Sequence, residues 1–105
     1  MINRGGEKVS PAEVDAALMG HPDVREAASF PISHPTLGEE VAAVVISEPN
    51  SGLSAKDLRG YLLGRISGFK VPKVIVFTDE IPKSGTGKVQ RHELAETLGV
   101  KIGAK

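Results

Sequence analysis

Cysteine is absent from this sequence. The chain therefore forms no disulfide and offers no thiolate to a metal, which fits a reducing compartment. Net charge is absent too. Thirteen Lys and Arg balance thirteen Asp and Glu, so bulk charge gives no reason to expect nucleic acid or a membrane as partner. The longest apolar run, Val41-Ala42-Ala43-Val44-Val45-Ile46, is too short to span a bilayer. No targeting signal, repeat, linker or low-complexity stretch is visible. The three histidines, His21, His34 and His92, lack metal-ligand spacing and read as surface or capping residues. What remains is the expectation of a soluble, cytoplasmic protein: one domain of 105 residues, 40% hydrophobic, with enough apolar side chain for a modest core.

The charge that cancels overall is unevenly placed. Residues 1–64 hold five Lys/Arg against nine Asp/Glu, and residues 65–105 hold eight against four. In the basic part lies Pro82-Lys83-Ser84-Gly85-Thr86-Gly87-Lys88-Val89-Gln90-Arg91. Gly85 and Gly87 free the backbone just before a lysine, and a helical pattern begins immediately afterwards. Converging backbone N–H groups, a helix N-terminus and an ammonium together make a phosphate-handling layout. The plainer reading is a surface loop with the usual Gly, Ser and Lys. A P-loop is excluded: its first glycine position is Pro82, and the residue after Lys88 is Val89 rather than a hydroxyl that holds magnesium.

Along the chain, Met1 to Val9 places Gly5-Gly6 between short arms and predicts a tight β-hairpin. Ser10-Pro11-Ala12-Glu13 predicts a helix start, with Ser10 as N-cap, Pro11 in the first turn, Glu13 closing a capping box and Val9 stapled to Val14. Val14, Ala17 and Leu18 form its buried stripe, and Gly20 ends it. An extended segment follows from Val24 to Ile32, with residues 33–38 as a turn. The run Val41–Ile46 is apolar without alternation, which predicts a strand covered on both faces. Ser54 caps a second helix whose Leu58, Tyr61, Leu62 and Ile66 face the core, and whose Gly60 and Gly64 are expected to pack closely against the sheet. Lys73–Phe77 is a third strand, and a last helix runs from about Arg91 to Leu98, stopped by Gly99. Tyr61 and the phenylalanines Phe30, Phe69 and Phe77 read as core. The predicted fold class is α+β: a small sheet of about three strands with helices packed on it, plus the short N-terminal hairpin.

Two segments carry a family resemblance. Ile2-Asn3-Arg4-Gly5-Gly6-Glu7-Lys8-Val9-Ser10-Pro11-Ala12-Glu13-Val14, followed by His21-Pro22-Asp23-Val24, resembles the hinge-proximal motif of the adenylate-forming enzymes. These are the acyl-CoA synthetases, peptide-synthetase adenylation domains and luciferases. Phe69-Lys70-Val71-Pro72-Lys73 with Asp79 to Arg91 resembles the family's closing motif. The resemblance covers nearly the whole chain, as the mobile C-terminal lid of such an enzyme, residues 1–105.

The resemblance implies an ATP-dependent acid–thiol ligase. A carboxylic acid attacks the α-phosphorus of ATP to give an acyl-adenylate and pyrophosphate, and a thiol, usually of coenzyme A, then displaces AMP. Lys88, with Gly87 beside it, takes the place of the family's adenylation lysine. After a rotation of the domain, Gly5 and Gly6 line the pantetheine tunnel and Lys8 lies near the AMP phosphate. ATP and coenzyme A are substrates of the whole enzyme. Magnesium is expected in the core domain, and the isolated domain is expected to be inactive and to bind neither ligand nor metal. The partners implied are the N-terminal core of the same enzyme, a carboxylic acid, ATP, and either coenzyme A or a carrier-protein phosphopantetheine.

The core, with its own phosphate loop and its acyl and adenine pockets, is not in this sequence, nor is the acidic hinge residue the family places just before Met1. The expectation is a domain cut from a longer enzyme, with a separately encoded domain as the other case. A different class of function is also open: a stand-alone interaction module that docks on an adenylating domain or carrier protein. For the single residues, Gly5-Gly6 as a mere turn and Lys8 as a solvated lysine stand beside the functional readings. Arg4, Lys70, Lys73 and Arg91 either meet nucleotide or coenzyme A phosphates or are exposed bases without a specific role. The first motif occurs in oxalate-type, aryl-acid and fatty-acyl ligases alike, so it does not choose the acid.

Overall fold

The computed structural model describes residues 1–82 and 90–99. In chain order the elements are β1 (Ile2–Arg4), β2 (Glu7–Val9), α1 (Pro11–Met19), β3 (Val24–His34), β4 (Gly38–Ser47), α2 (Ala55–Leu63), β5 (Val74–Phe77) and α3 (Arg91–Leu98), with a 3-10 turn at Gly68–Lys70 before β5.

β4 organises the sheet. β3 pairs antiparallel along its whole length, from His34↔Gly38 to Val24↔Ser47. The opposite edge of β4 is shared: β1 meets it antiparallel at Arg4↔Gly38, and β5 lies parallel to it from Ala42↔Val74 to Val45↔Phe77. All five strands thus form one sheet, with β2 outermost beside β1. The predicted three strands are β3, β4 and β5. The hairpin is not an appendage but an extension of the same sheet, because β4 begins at Gly38, before its apolar run, and so offers β1 an edge. The predicted turn over residues 33–38 shrinks accordingly, since β3 continues through Ser33 and His34. The parallel β4–β5 pair needs a crossover, and α2 supplies it.

The unbroken apolar run of β4 is explained by two cores. Val41, Ala43 and Val45 pack with Ile2, Val9, Val14, Leu18, Leu58 and Leu62 on the face covered by α1 and α2. Ala42 and Val44 pack with Phe30, Ile32, Ile81 and Leu94 on the face covered by α3. A period of two in a strand sends neighbours to opposite faces, and here both faces are dry. Each large side chain buried in these clusters contributes about 1.5–3 kcal/mol of transfer free energy.

Local signals place the helices. The Ser10 hydroxyl accepts from the Glu13 N–H at 3.4 Å, and Ser54 accepts from Asp57 N–H at 3.1 Å, each satisfying one orphan donor of a helix start. The expected reciprocal capping by Glu13 is not what its carboxylate does; it takes the Lys70 ammonium at 2.9 Å instead. Gly99 ends α3 at φ 70°, the left-handed conformation a glycine adopts without strain.

Two expectations about packing are corrected. Gly60 is exposed, and a Cβ placed on it would meet nothing within 4 Å; Gly64 is the exposed C-cap of α2 rather than an interior residue. Neither glycine is there for close approach to the sheet. Phe77 is 37% exposed at the end of β5 and is not core, whereas Phe30 is fully buried and Phe69 packs against the α1–α2 cluster.

Candidate functional site

The hairpin turn is built by two consecutive glycines with positive φ, 58° at Gly5 and 92° at Gly6. Left-handed values at both central residues are the signature of the turn that best matches the twist of a two-stranded ribbon. The two glycines then part company. Gly5 donates its N–H to the Leu37 carbonyl at 2.8 Å, and a Cβ on it would sit 2.8 Å from Leu37 Cδ2. Gly6 donates to Asn3 Oδ1 at 3.0 Å, and a Cβ on it would meet nothing within 4 Å. Both are exposed, but Gly5 is the packed side of the turn, held against Leu37 at the β3–β4 corner, and Gly6 is its open side.

Alternation along the hairpin sorts the remaining side chains. The pair Ile2↔Val9 is fully buried and faces the core, so the pair Asn3↔Lys8 faces outward and Lys8 is exposed. Lys8 has no hydrogen-bond or ion-pair partner among the described residues, which leaves its ammonium available. Arg4↔Glu7 returns to the inner side, and there Arg4 Nε meets Glu40 at 2.8 Å while Nη1 reaches Glu7 at 3.4 Å.

Lys88 and Gly87 lie outside the described residues. The chain on either side is anchored to the sheet. Ile81 is buried in the same cluster as Leu94 of α3. Arg91, three residues after Lys88, reaches around the open edge of β3: Nη2 meets Asp15 at 2.7 Å and Nη1 donates to the Ser29 carbonyl at 2.8 Å. Asp15 Oδ1 in turn accepts from the Ser29 N–H at 2.6 Å and from its hydroxyl at 2.8 Å. Ser29 is completely buried. Its N–H and C=O both point away from β4, as they do at alternate residues of an edge strand, and Asp15 and Arg91 stand where a neighbouring strand would bond. Pro31, two residues on, has no N–H to satisfy at that same edge.

The basic residues named from sequence therefore divide. Arg4, Lys70 and Arg91 are each committed to a carboxylate within the domain, Glu40, Glu13 and Asp15 respectively. Lys8 and Lys73 are exposed. His21 and His34 cap turns, as expected: His21 Nδ1 accepts from Asp23 N–H, and His34 Nδ1 from Thr36 and Leu37 N–H. Sequence reasoning missed Asp15, Ser29 and Glu40. A lone hydroxyl inside Ala27-Ala28-Ser29-Phe30 was the available signal for Ser29; nothing distinguished Glu40 from its neighbour Glu39.

The glycine turn and Arg91 sit on opposite sides of β4. The glycine turn joins the edge that β1 shares with β5, and Arg91 is tied to β3 across the sheet. An open cleft of about 590 Å³ between Arg25, Glu48, Leu53, Phe77 and Asp79 includes neither feature. No helix among the described residues is long and apolar enough to cross a membrane, and no group of three or more His, Asp and Glu side chains there is arranged to hold a metal ion.

Comparison with known proteins assigns the family. The family model described as the AMP-binding enzyme C-terminal domain matches residues 13–88. The oxalate–CoA ligase of Arabidopsis thaliana is 41% identical over 96 residues, 91% of this chain and 19% of that protein. A medium/long-chain-fatty-acid–CoA/3-oxocholest-4-en-26-oate–CoA ligase of Mycobacterium marinum is 47% identical over 87 residues, 83% of this chain and 16% of that protein. The crystal structure of apo MatB from Rhodopseudomonas palustris superposes with a TM-score of 0.85 at 33% identity, covering 91% of this chain and 19% of that one. The chain thus spans about a fifth of the length of the relatives it matches. With both motifs, the fold and the family model in agreement, the chain belongs to the AMP-binding enzyme C-terminal domain family, the C-terminal domain of adenylate-forming ligases.

Proposed function

We propose that this domain works as the mobile lid of an AMP-forming acid–thiol ligase and serves its two half-reactions with two different parts. In the first, Lys88 carries one positive charge to the place where carboxylate and α-phosphate meet. An ammonium there offsets the repulsion of two anions and stabilises charge that grows in the transition state. Groups of this kind are worth about 2.7–4 kcal/mol, a few hundredfold in rate. In the second, the domain presents the Gly5–Gly6 turn to the pantetheine arm of coenzyme A, with Lys8 toward the AMP phosphate.

The observation that carries the reading is the asymmetry of the turn. Both glycines serve the turn through their positive φ, but Gly5 is also pressed against Leu37, whereas Gly6 faces open space and no neighbour within 4 Å would meet a side chain there. A turn whose tip, Gly5-Gly6, carries no side chain is what a thiol arm can pass. The availability of Lys8, where Arg4, Lys70 and Arg91 are paired internally, supports its part as an anion contact. The proposal leaves magnesium, the adenine pocket and the acyl pocket to the core domain. The relatives' names span oxalate and long-chain or sterol acids, which agrees with a lid that does not select the acid.

The test is complementation. The core domain alone, then the core joined to this chain, is assayed for acid-dependent pyrophosphate release and for thioester formation with coenzyme A. The proposal expects both activities only when the chain is present. Equal activity of the core alone would overturn it, and transfer only to a phosphopantetheinylated carrier protein would change the acceptor.

A further inference from the structure

The Gly5–Gly6 turn is joined to the central strand by little backbone pairing and by several side-chain ties. β1 shares a single register position with β4, Arg4↔Gly38. Besides the buried Ile2↔Val9 pair, the turn is tied by Leu37 at the corner between β3 and β4 and by the first residues of β4. Gly5 N–H donates to the Leu37 carbonyl at 2.8 Å, Asn3 N–H donates to Glu39 Oε1 at 2.8 Å, and Arg4 Nε donates to Glu40 Oε1 at 2.8 Å. The corner itself is set by His34, whose Nδ1 accepts from the Leu37 N–H at 3.0 Å.

Of these ties, the Arg4–Glu40 pair stands out. Glu40 is 2% exposed, and its Oε1 also accepts from the Val41 N–H at 2.9 Å. A carboxylate taken out of water is costly unless its charge is met in good geometry. A buried pair of this kind is weak evidence for stability, and its best-attested use is to fix one arrangement among several. Arg4 spends its planar fork on two carboxylates at once, Glu40 at the sheet and Glu7 across the turn, so the guanidinium spans the hairpin from one strand to the other. A lysine, with one ammonium, has no such fork.

We infer that Glu40, acting through Arg4, is a positioning residue for thioester formation: the pair braces the glycine turn in the one orientation that admits the thiol arm. The inference rests on the proposed role of that turn in the second half-reaction. It assigns Arg4 to an internal carboxylate rather than to a coenzyme A phosphate, and it gives the start of β4 a positioning role though it touches no substrate.

Two substitutions test it, Glu40→Gln, which keeps shape and removes charge, and Arg4→Lys, which keeps charge and removes the fork. In this chain, hydrogen exchange at the Gly5 and Gly6 amides is expected to accelerate about tenfold or more while the amides of α1 and β4 keep their protection. In the complete enzyme, kcat for thioester formation from pre-formed acyl-adenylate is expected to fall about tenfold, with KM for coenzyme A and the rate of pyrophosphate release within about twofold of the parent, because small misplacements are paid for in rate. Gly6→Asn is run alongside, since asparagine tolerates positive φ and so tests the space itself.

If Gly6→Asn impairs thioester formation but neither brace variant alters kcat or amide exchange, the brace is wrong and the role of the turn stands. If Gly6→Asn leaves thioester formation intact, the role of the turn fails and the brace fails with it. If Arg4→Lys raises KM for coenzyme A at unchanged kcat and Glu40→Gln does nothing, Arg4 is a ligand contact and the inference is overturned. Should a single variant not fold, the neutral pair Arg4→Gln/Glu40→Gln removes both charges together, and the same selective loss of kcat is expected from it; full activity of the pair would equally overturn the brace.

Discussion

Gly5 and Gly6 look alike in the sequence and differ in what surrounds them. Both need positive φ, but only Gly5 is pressed against a neighbour, Leu37. Gly5→Ala is therefore expected to combine backbone strain with a steric clash and to destabilise the domain by about 1–3 kcal/mol, read as a lowered urea midpoint. Adding Leu37→Ala should recover the part due to the clash. No recovery would assign the whole cost to the backbone. That the pair forms a turn was legible from their place between two short arms. Which of the two faces outward was not, because the neighbour that decides it is Leu37, remote in sequence. The same holds for Arg4 and Arg91. As isolated bases they were candidates for phosphate contacts, and the partners that claim them, Glu40 and Asp15, lie far along the chain.

At the scale of the element, local signals were reliable and their partners were not. Ser10, Pro11 and Ser54 marked helix starts correctly because capping is a matter of a few consecutive residues. Glu13 also reads as part of a cap, yet its carboxylate is taken by Lys70 from a distant turn. The apolar run of β4 was legible as doubly covered since both of its faces are written in its own residues. The parallel pairing of β5 and the joining of the hairpin to the sheet were not, as register between remote strands leaves no local trace. Gly60 shows the cost of reading packing from composition. It sits in a helix with open space around it, so Gly60→Ala should stabilise the domain by about 0.5–1 kcal/mol in denaturant titration; a loss of stability would mean that the glycine does serve a close contact. Ser29→Ala belongs at this scale too. It removes the hydroxyl that Asp15 accepts from, inside a fully buried site, and a loss of about 1–3 kcal/mol is expected by thermal or chemical denaturation; a neutral effect would show that the edge of β3 does not depend on it.

For the whole molecule the account is one of division. A single sheet carries a bare turn on one edge of its central strand and, across the other, an arginine that ties down the start of the helix following the Lys88 segment. The turn and this arginine are thus mounted on opposite sides of β4. Family membership was legible from the two motifs, and the acid was not, because the first motif is common to ligases of different acids. The most direct test compares the two half-reactions in the complete enzyme carrying Lys88→Ala. Acid-dependent pyrophosphate release is expected to fall a few hundredfold, about 2.7–4 kcal/mol in the barrier, while thioester formation from pre-formed acyl-adenylate and coenzyme A stays within a few-fold of the parent. Equal losses in both half-reactions would contradict the division of labour between the lysine segment and the glycine turn.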